Sequence, residues 1–140
     1  MDDAVRGEFC SIYAGNGGEI MDRIHIGSRL CKTKDLSLGQ SLFAGTLLEW
    51  IAECGSIFSM KYTGSDRHMA LYRIDDLRIT KPIKVGMLMD FYADNVRLGV
   101  HSVSFKLFGT VREKVTISLD CTYVQIDENG EKIPLPPVKQ

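Results

Sequence analysis

A hydroxyl, a run of small residues and two carboxylates stand close together at the start of one long apolar segment: Ser41, Ala44-Gly45-Thr46, Glu49 and Glu53. The segment continues to Phe58 without proline or any further charge. Small residues in the first turn of a helix leave backbone N–H groups uncovered, ready to meet an oxyanion or a phosphate. Aimed at a carbonyl under attack, such donors stabilise the developing charge, provided a base or nucleophile stands nearby. Glu49 and Glu53 are the candidate bases. Ser41 is a candidate nucleophile or water-positioning hydroxyl, although no base adjoins it in sequence. Each has an ordinary alternative: a solvated or paired carboxylate for the glutamates, a helix N-cap or a binding hydroxyl for Ser41.

Other reactive residue types are thinly spread. Cys10, Cys31, Cys54 and Cys121 occur singly, with no Cys-x-x-Cys and no histidine at metal-ligand spacing, so neither metal nor cofactor is expected. His25 and His68 have no recognisable partners, and His101 falls in a turn. Asp75 and Asp76 are neighbours on a strand and point to opposite faces, which rules out a paired-carboxylate site. Lys81 and Lys84 flank Pro82 and suit either a phosphate contact or a solvated face.

The elements that must position these groups follow from periodicity. A helix apolar nearly all round belongs inside a core, and this one is expected from Ser41 or Phe43 to about Tyr62, stopped by Gly64. Before it, residues 20–30 read as a strand, residues 9–13 as a possible short one, and Gly15-Asn16-Gly17-Gly18 as a turn or hinge. After Asp66 everything reads as strand. Met69, Leu71, Ile74, Leu77 and Ile79 carry the first, with a bulge near Asp75-Asp76. Residues 82–86 turn the chain into a strand over 87–96, and Leu98-Gly99 turns it again toward Val103, Phe105 and Leu107. Val115, Ile117, Leu119, Cys121 and Tyr123 alternate cleanly in the last strand, before a turn at residues 127–130 and a proline-rich tail. The order is strand, central helix, then four strands expected in meander, and the helix is buried only if the antiparallel sheet wraps it.

Composition sets ordinary bounds. At 140 residues one domain is expected over 19–140, with 1–18 as an N-terminal segment. A net charge of −1 offers no field for nucleic acid or an acidic membrane surface. The acidic start and the interrupted apolar run argue against a leader or a membrane span. With its unpaired cysteines, the chain reads as reduced and cytoplasmic.

Four blocks of sequence resemble the acyl-CoA thioesterases of the hotdog superfamily, the acyl-CoA hydrolase branch. Residues 42–51, Leu-Phe-Ala-Gly-Thr-Leu-Leu-Glu-Trp-Ile, are similar to that family's L-F-G-G-x-L-L-x-W-[IM]. Asp75 through Gly86 is similar to D-x-[ML]-x-F-x-x-P-[IV]-x-V-G. Residues 99–103 resemble the turn G-R-x-S-[MV], and Tyr123 through Pro134 resembles F-V-A-[VL]-D-x-x-G-x-x-x-P. The blocks lie in the family's order, and the resemblance is read over residues 36–136.

The resemblance implies an α+β hotdog fold, with five or six antiparallel strands wrapped around one long helix. It implies hydrolysis of an acyl-CoA or acyl-carrier-protein thioester, and a homodimer, alone or stacked into a tetramer or hexamer. Carried over position by position, Phe43, Ala44, Gly45 and Thr46 hold the thioester, with the oxyanion hole on backbone at 44–46. Gly99, His101 and Ser102 meet the pantetheine or nucleotide. The family's catalytic Asp or Glu lies seven residues after the second glycine of G-G, where this chain has Ala52. The family's Asn before the helix is likewise missing from Gly39-Gln40-Ser41. Glu49 shares a helix face with Ala52, while Glu53 adjoins it but points about 100° away. A thioesterase with a relocated carboxylate and a non-hydrolytic acyl-thioester binder therefore stand side by side. A dehydratase on the same fold is weaker, because the histidine motifs of those branches are absent.

Overall fold

The helix begins and ends where local chemistry dictates. In the computed structural model, which describes residues 23–137, helix α1 spans Ala44–Thr63. Gly64 closes it in the left-handed region (φ 73°), its N–H bonded to Met60 O at 3.0 Å. The N-cap is Phe43, with no side-chain cap, so Ser41 does not cap the helix. It lies two residues too early, and its carbonyl instead accepts from Ser37 N–H at 2.7 Å. The expected strand at 9–13 and the turn at 15–18 lie outside the described residues.

Five strands form one antiparallel sheet: β1 Ile24–Leu30, β2 Met69–Ile79, β3 Leu88–Leu98, β4 Ser102–Val111 and β5 Lys114–Gln125. Their order is β1-β3-β4-β5-β2. This corrects the expected four-strand meander. Strands β3, β4 and β5 do follow one another, but β2 pairs with β5 at the far edge. The physical reason is the link over residues 80–87, which carries Pro82 and buries Ile83, and so spans the molecule instead of closing a hairpin. The bulge near Asp75-Asp76 is present as a register shift between Asp75 and Arg78, with Asp76 at φ 53°.

Alternation places the core on the helix side of the sheet. Met89, Phe91 and Ala93 of β3, Val103, Phe105 and Leu107 of β4, and Ile117, Leu119, Cys121 and Tyr123 of β5 are all buried. They meet Leu47, Ile51, Cys54 and Phe58 of α1. Phe58 packs edge-on against Phe105 with ring centroids 4.7 Å apart, and Phe105 stacks on Tyr123. The expected all-round burial of the helix is met on one side only within a single chain. Leu48, Ile57 and Met60 remain exposed on its outer side. Cys31, Cys54 and Cys121 are buried free thiols, packed as small core residues.

Candidate active site

The link that overturns the meander builds the site. After β2 the chain passes Ile79, Thr80, Lys81, Pro82 and Ile83 along the start of α1, enclosing a pocket of about 270 Å³ with Ser41, Leu42, Ala44 and Leu47. A backbone bond from Leu42 N–H to Ile83 O at 2.7 Å fixes the two walls together. Leu47 and Ile83, both buried, form its apolar floor, and exposed Lys81 stands on its rim.

Backbone donors at the start of α1, beside Ala44 on the pocket wall, lack intrahelical partners because of how the helix begins. The first intrahelical bond runs from Leu47 N–H to Phe43 O at 3.0 Å, so the N–H groups of Ala44, Gly45 and Thr46 precede the ladder. Phe43 N–H is already bonded to Asp35 O at 2.8 Å. The exposed ring of Phe43 lies over Gly45, where a Cβ would sit 2.5 Å from ring Cε2. A side chain at 45 would push this exposed ring aside, and the helix dipole adds partial positive charge there.

The carboxylates are placed less uniformly. Glu49 is exposed, one turn beyond Gly45 on the same helix face, away from the sheet. Glu53 is also exposed, and its carboxylate pairs with the Arg29 guanidinium of β1. That partner was not legible in sequence, because it depends on where the helix crosses the sheet. Ala52 is half-buried, and its carbonyl accepts the Tyr123 hydroxyl at 3.0 Å. Among the described residues the one buried carboxylate is Asp35, engaged by Lys32 N–H at 2.8 Å as a local cap.

Gly99, His101 and Ser102 lie elsewhere. The β3–β4 turn that carries Gly99 shares a cleft with Thr63, the last residue of α1, and with Leu135, Pro136 and Pro137. A helix of 20 residues is about 30 Å long, so one chain holds the two groups of candidate residues at opposite ends.

His25, expected to lack a partner, sits on the sheet face opposite the helix with Nε2 3.5 Å from Asp90 Oδ1 and 3.4 Å from Ser28 Oγ. The same ring nitrogen faces both groups and the Ser28 hydroxyl donates to Asp90, so this is not a serine-activating relay. The buried thiols are no better as nucleophiles. Burial, with Asp120 beside it, pushes Cys121 up to about 12, and burial raises Cys31 and Cys54 as well. Among the described residues no cluster of His, Cys, Asp and Glu could hold a metal ion, and no helix is long and apolar enough to cross a membrane.

This architecture is the hotdog fold. A hexameric thioesterase from Yersinia pestis superposes with a TM-score of 0.74 at 21% identity, over 81% of this chain and 95% of that one. A hexameric broad-specificity acyl-coenzyme A thioesterase gives 0.73 at 18%, over 81% of each chain. An acyl-CoA hydrolase from Staphylococcus aureus, in complex with butyryl coenzyme A, coenzyme A and coenzyme A disulfide, gives 0.70 at 22%, over 84% of this chain and 74% of that one. At these identities the likeness establishes the fold. No protein-family model matches the chain, and no curated protein is a significant match in sequence.

Proposed function

We propose that this protein hydrolyses acyl thioesters, carried on coenzyme A or on an acyl-carrier protein, with the oxyanion held by backbone N–H groups at residues 44–46. The observation that carries the reading is the pocket at the start of α1, where uncoupled N–H donors adjoin an apolar floor and a cationic rim at Lys81. A thioester carbonyl needs such donors, and an acyl group needs such a floor. The fold shared with structures of acyl-CoA thioesterases supports the same substrate class.

Glu49 is the favoured base. It stands open to solvent on the face above Gly45, whereas the Glu53 carboxylate is occupied by the Arg29 guanidinium. Ser41, on the pocket wall, is a binding hydroxyl or a nucleophile. Non-hydrolytic binding of an acyl thioester is the second reading, favoured by Ala52 at the family's carboxylate position.

The working unit is at least a dimer. Leu48, Ile57 and Met60 on the outer side of α1, with Leu71, Tyr72, Leu77 and Ile79 on edge strand β2, leave apolar surface for a second copy. If the start of α1 and the β3–β4 turn contact one substrate, they come from two chains. Measuring hydrolysis of acetyl-, butyryl-, octanoyl- and palmitoyl-CoA tests the reading. Turnover of any of them, abolished by blocking the start of α1, supports it; binding without turnover selects the second reading.

A further inference from the structure

Gln125, the last residue of β5, is 4% exposed and sits where three segments meet. Its backbone N–H donates to His101 O in the β3–β4 turn at 2.9 Å, and its carbonyl accepts Ile133 N–H from the C-terminal segment at 3.0 Å. Its side chain grips the C-terminal segment a second time and reaches one further segment. The Pro134 carbonyl can only accept, so it takes the amide Nε2–H, which leaves Oε1 for the Ser65 hydroxyl beyond α1. The C-terminal segment then crosses the turn, with Leu135 N–H on Val100 O at 2.9 Å, and Leu135, Pro136 and Pro137 wall a cleft of about 240 Å³ against Leu98, Gly99 and Val100.

We propose that Gln125 is a positioning residue for recognition of the substrate's carrier end: through Pro134 it straps the C-terminal segment across the β3–β4 turn and holds that turn in its binding shape. The inference rests on the thioester reading above, in which this turn meets the pantetheine or nucleotide. The physical ground is that Gly99 N–H on Ser102 O, at 2.8 Å, and Gln125 N–H on His101 O, at 2.9 Å, close the base of the turn and neither bond restrains Val100 at its tip. The strap supplies one, and the buried amide of Gln125 fixes the strap. Carrier binding then draws on a turn already ordered, and loosening it costs affinity rather than chemistry.

The test compares wild type with Gln125→Glu, which keeps an acceptor for Ser65 and loses the donor to Pro134, and with Leu135→Pro, which leaves Gln125 itself in place but removes the strap's N–H to Val100 together with the Leu135 side chain that packs against the core. Both are expected to raise KM for acyl-CoA by several-fold up to about tenfold, the scale of one lost hydrogen bond, with kcat within about twofold. Amide exchange at Gly99 and Ser102 should quicken in both. If exchange quickens while KM stays at the wild-type value, or if kcat falls with KM constant, the proposal is overturned. Should wild type hydrolyse no acyl-CoA, the functional reading fails by itself, and titration with coenzyme A decides the rest. Binding that weakens in both variants supports the strap, and no binding by wild type overturns it. If Gln125→Glu fails to fold, the same measurements on Leu135→Pro alone decide the matter.

Discussion

The Tyr123 hydroxyl on β5 donates to the carbonyl of Ala52 in the middle of α1, at 3.0 Å, across the bare backbone of Gly55. A Cβ at Gly55 would lie 2.2 Å from that hydroxyl oxygen. The pair therefore sets how closely, and at what rotation, the helix lies on the sheet, and with it the outward aim of Glu49 and Glu53. Removing the hydroxyl in Tyr123→Phe is expected to cost about 1–2 kcal/mol, the scale of a hydrogen bond lost in a buried setting. Gly55→Ala should cost more, because the helix must move off Tyr123. Urea denaturation of the two variants checks the order, and an unaffected Gly55→Ala would contradict it.

The carboxylates separate on their partners. Glu49→Gln is expected to lower kcat by about two to four orders of magnitude, the usual contribution of a general base. Glu53→Gln should leave most activity and cost little stability, since its pair with Arg29 is exposed. Ala52→Asp should raise turnover if the site lacks only its usual carboxylate. Steady-state kinetics on the acyl-CoA series reads all three, and a fast wild type untouched by either Glu→Gln change transfers the role to Ser41.

Gly45→Val should drive the Phe43 ring from its place and cover the N–H donors. Loss of acyl-CoA binding is the expected outcome, measured by calorimetry. Binding at wild-type strength in a folded Gly45→Val protein would move the site elsewhere.

Light scattering at micromolar concentration should find a dimer or a multiple of one. Met60→Glu puts a charge on the exposed outer side of α1 and should shift the protein toward monomer. A monomeric wild type would remove the second-copy argument.

Alkaline stability follows from the thiols. Cys121 titrates at about 12 in the folded chain against an ordinary 9.0, because burial disfavours the thiolate. The unfolded chain gives up that proton first, so the contribution is complete below pH 9 and is lost as pH climbs toward 12. Tyr123, also raised by burial, acts in the same direction at higher pH. Melting temperatures should therefore fall steeply above about pH 9, and less steeply in Cys121→Ala.

Period-two alternation over residues 103–107 and 117–123 was enough to assign strands and their buried faces, although Val115, expected on the buried face, is exposed with Thr116 buried in its stead beside a register shift at Gly109/Thr110. The apolar run to Phe58 with Gly64 behind it was enough to bound the helix within a few residues. These are local properties, written by side-chain spacing and by the φ that glycine tolerates. The motif at 42–51 also marked where α1 begins. What alternation cannot carry is which strand lies beside which. Only the tertiary structure moved β2 to the far edge, and that crossing brings Ile79 through Ile83 to the start of α1 and makes the pocket. The same holds for the charges: Glu49 and Glu53 look equivalent in sequence, and they part company because the helix, seated by Tyr123 over Gly55, carries Glu53 within reach of Arg29 and leaves Glu49 open. Pairings between residues far apart in the chain depend on how whole elements pack, and no pattern within either element records them.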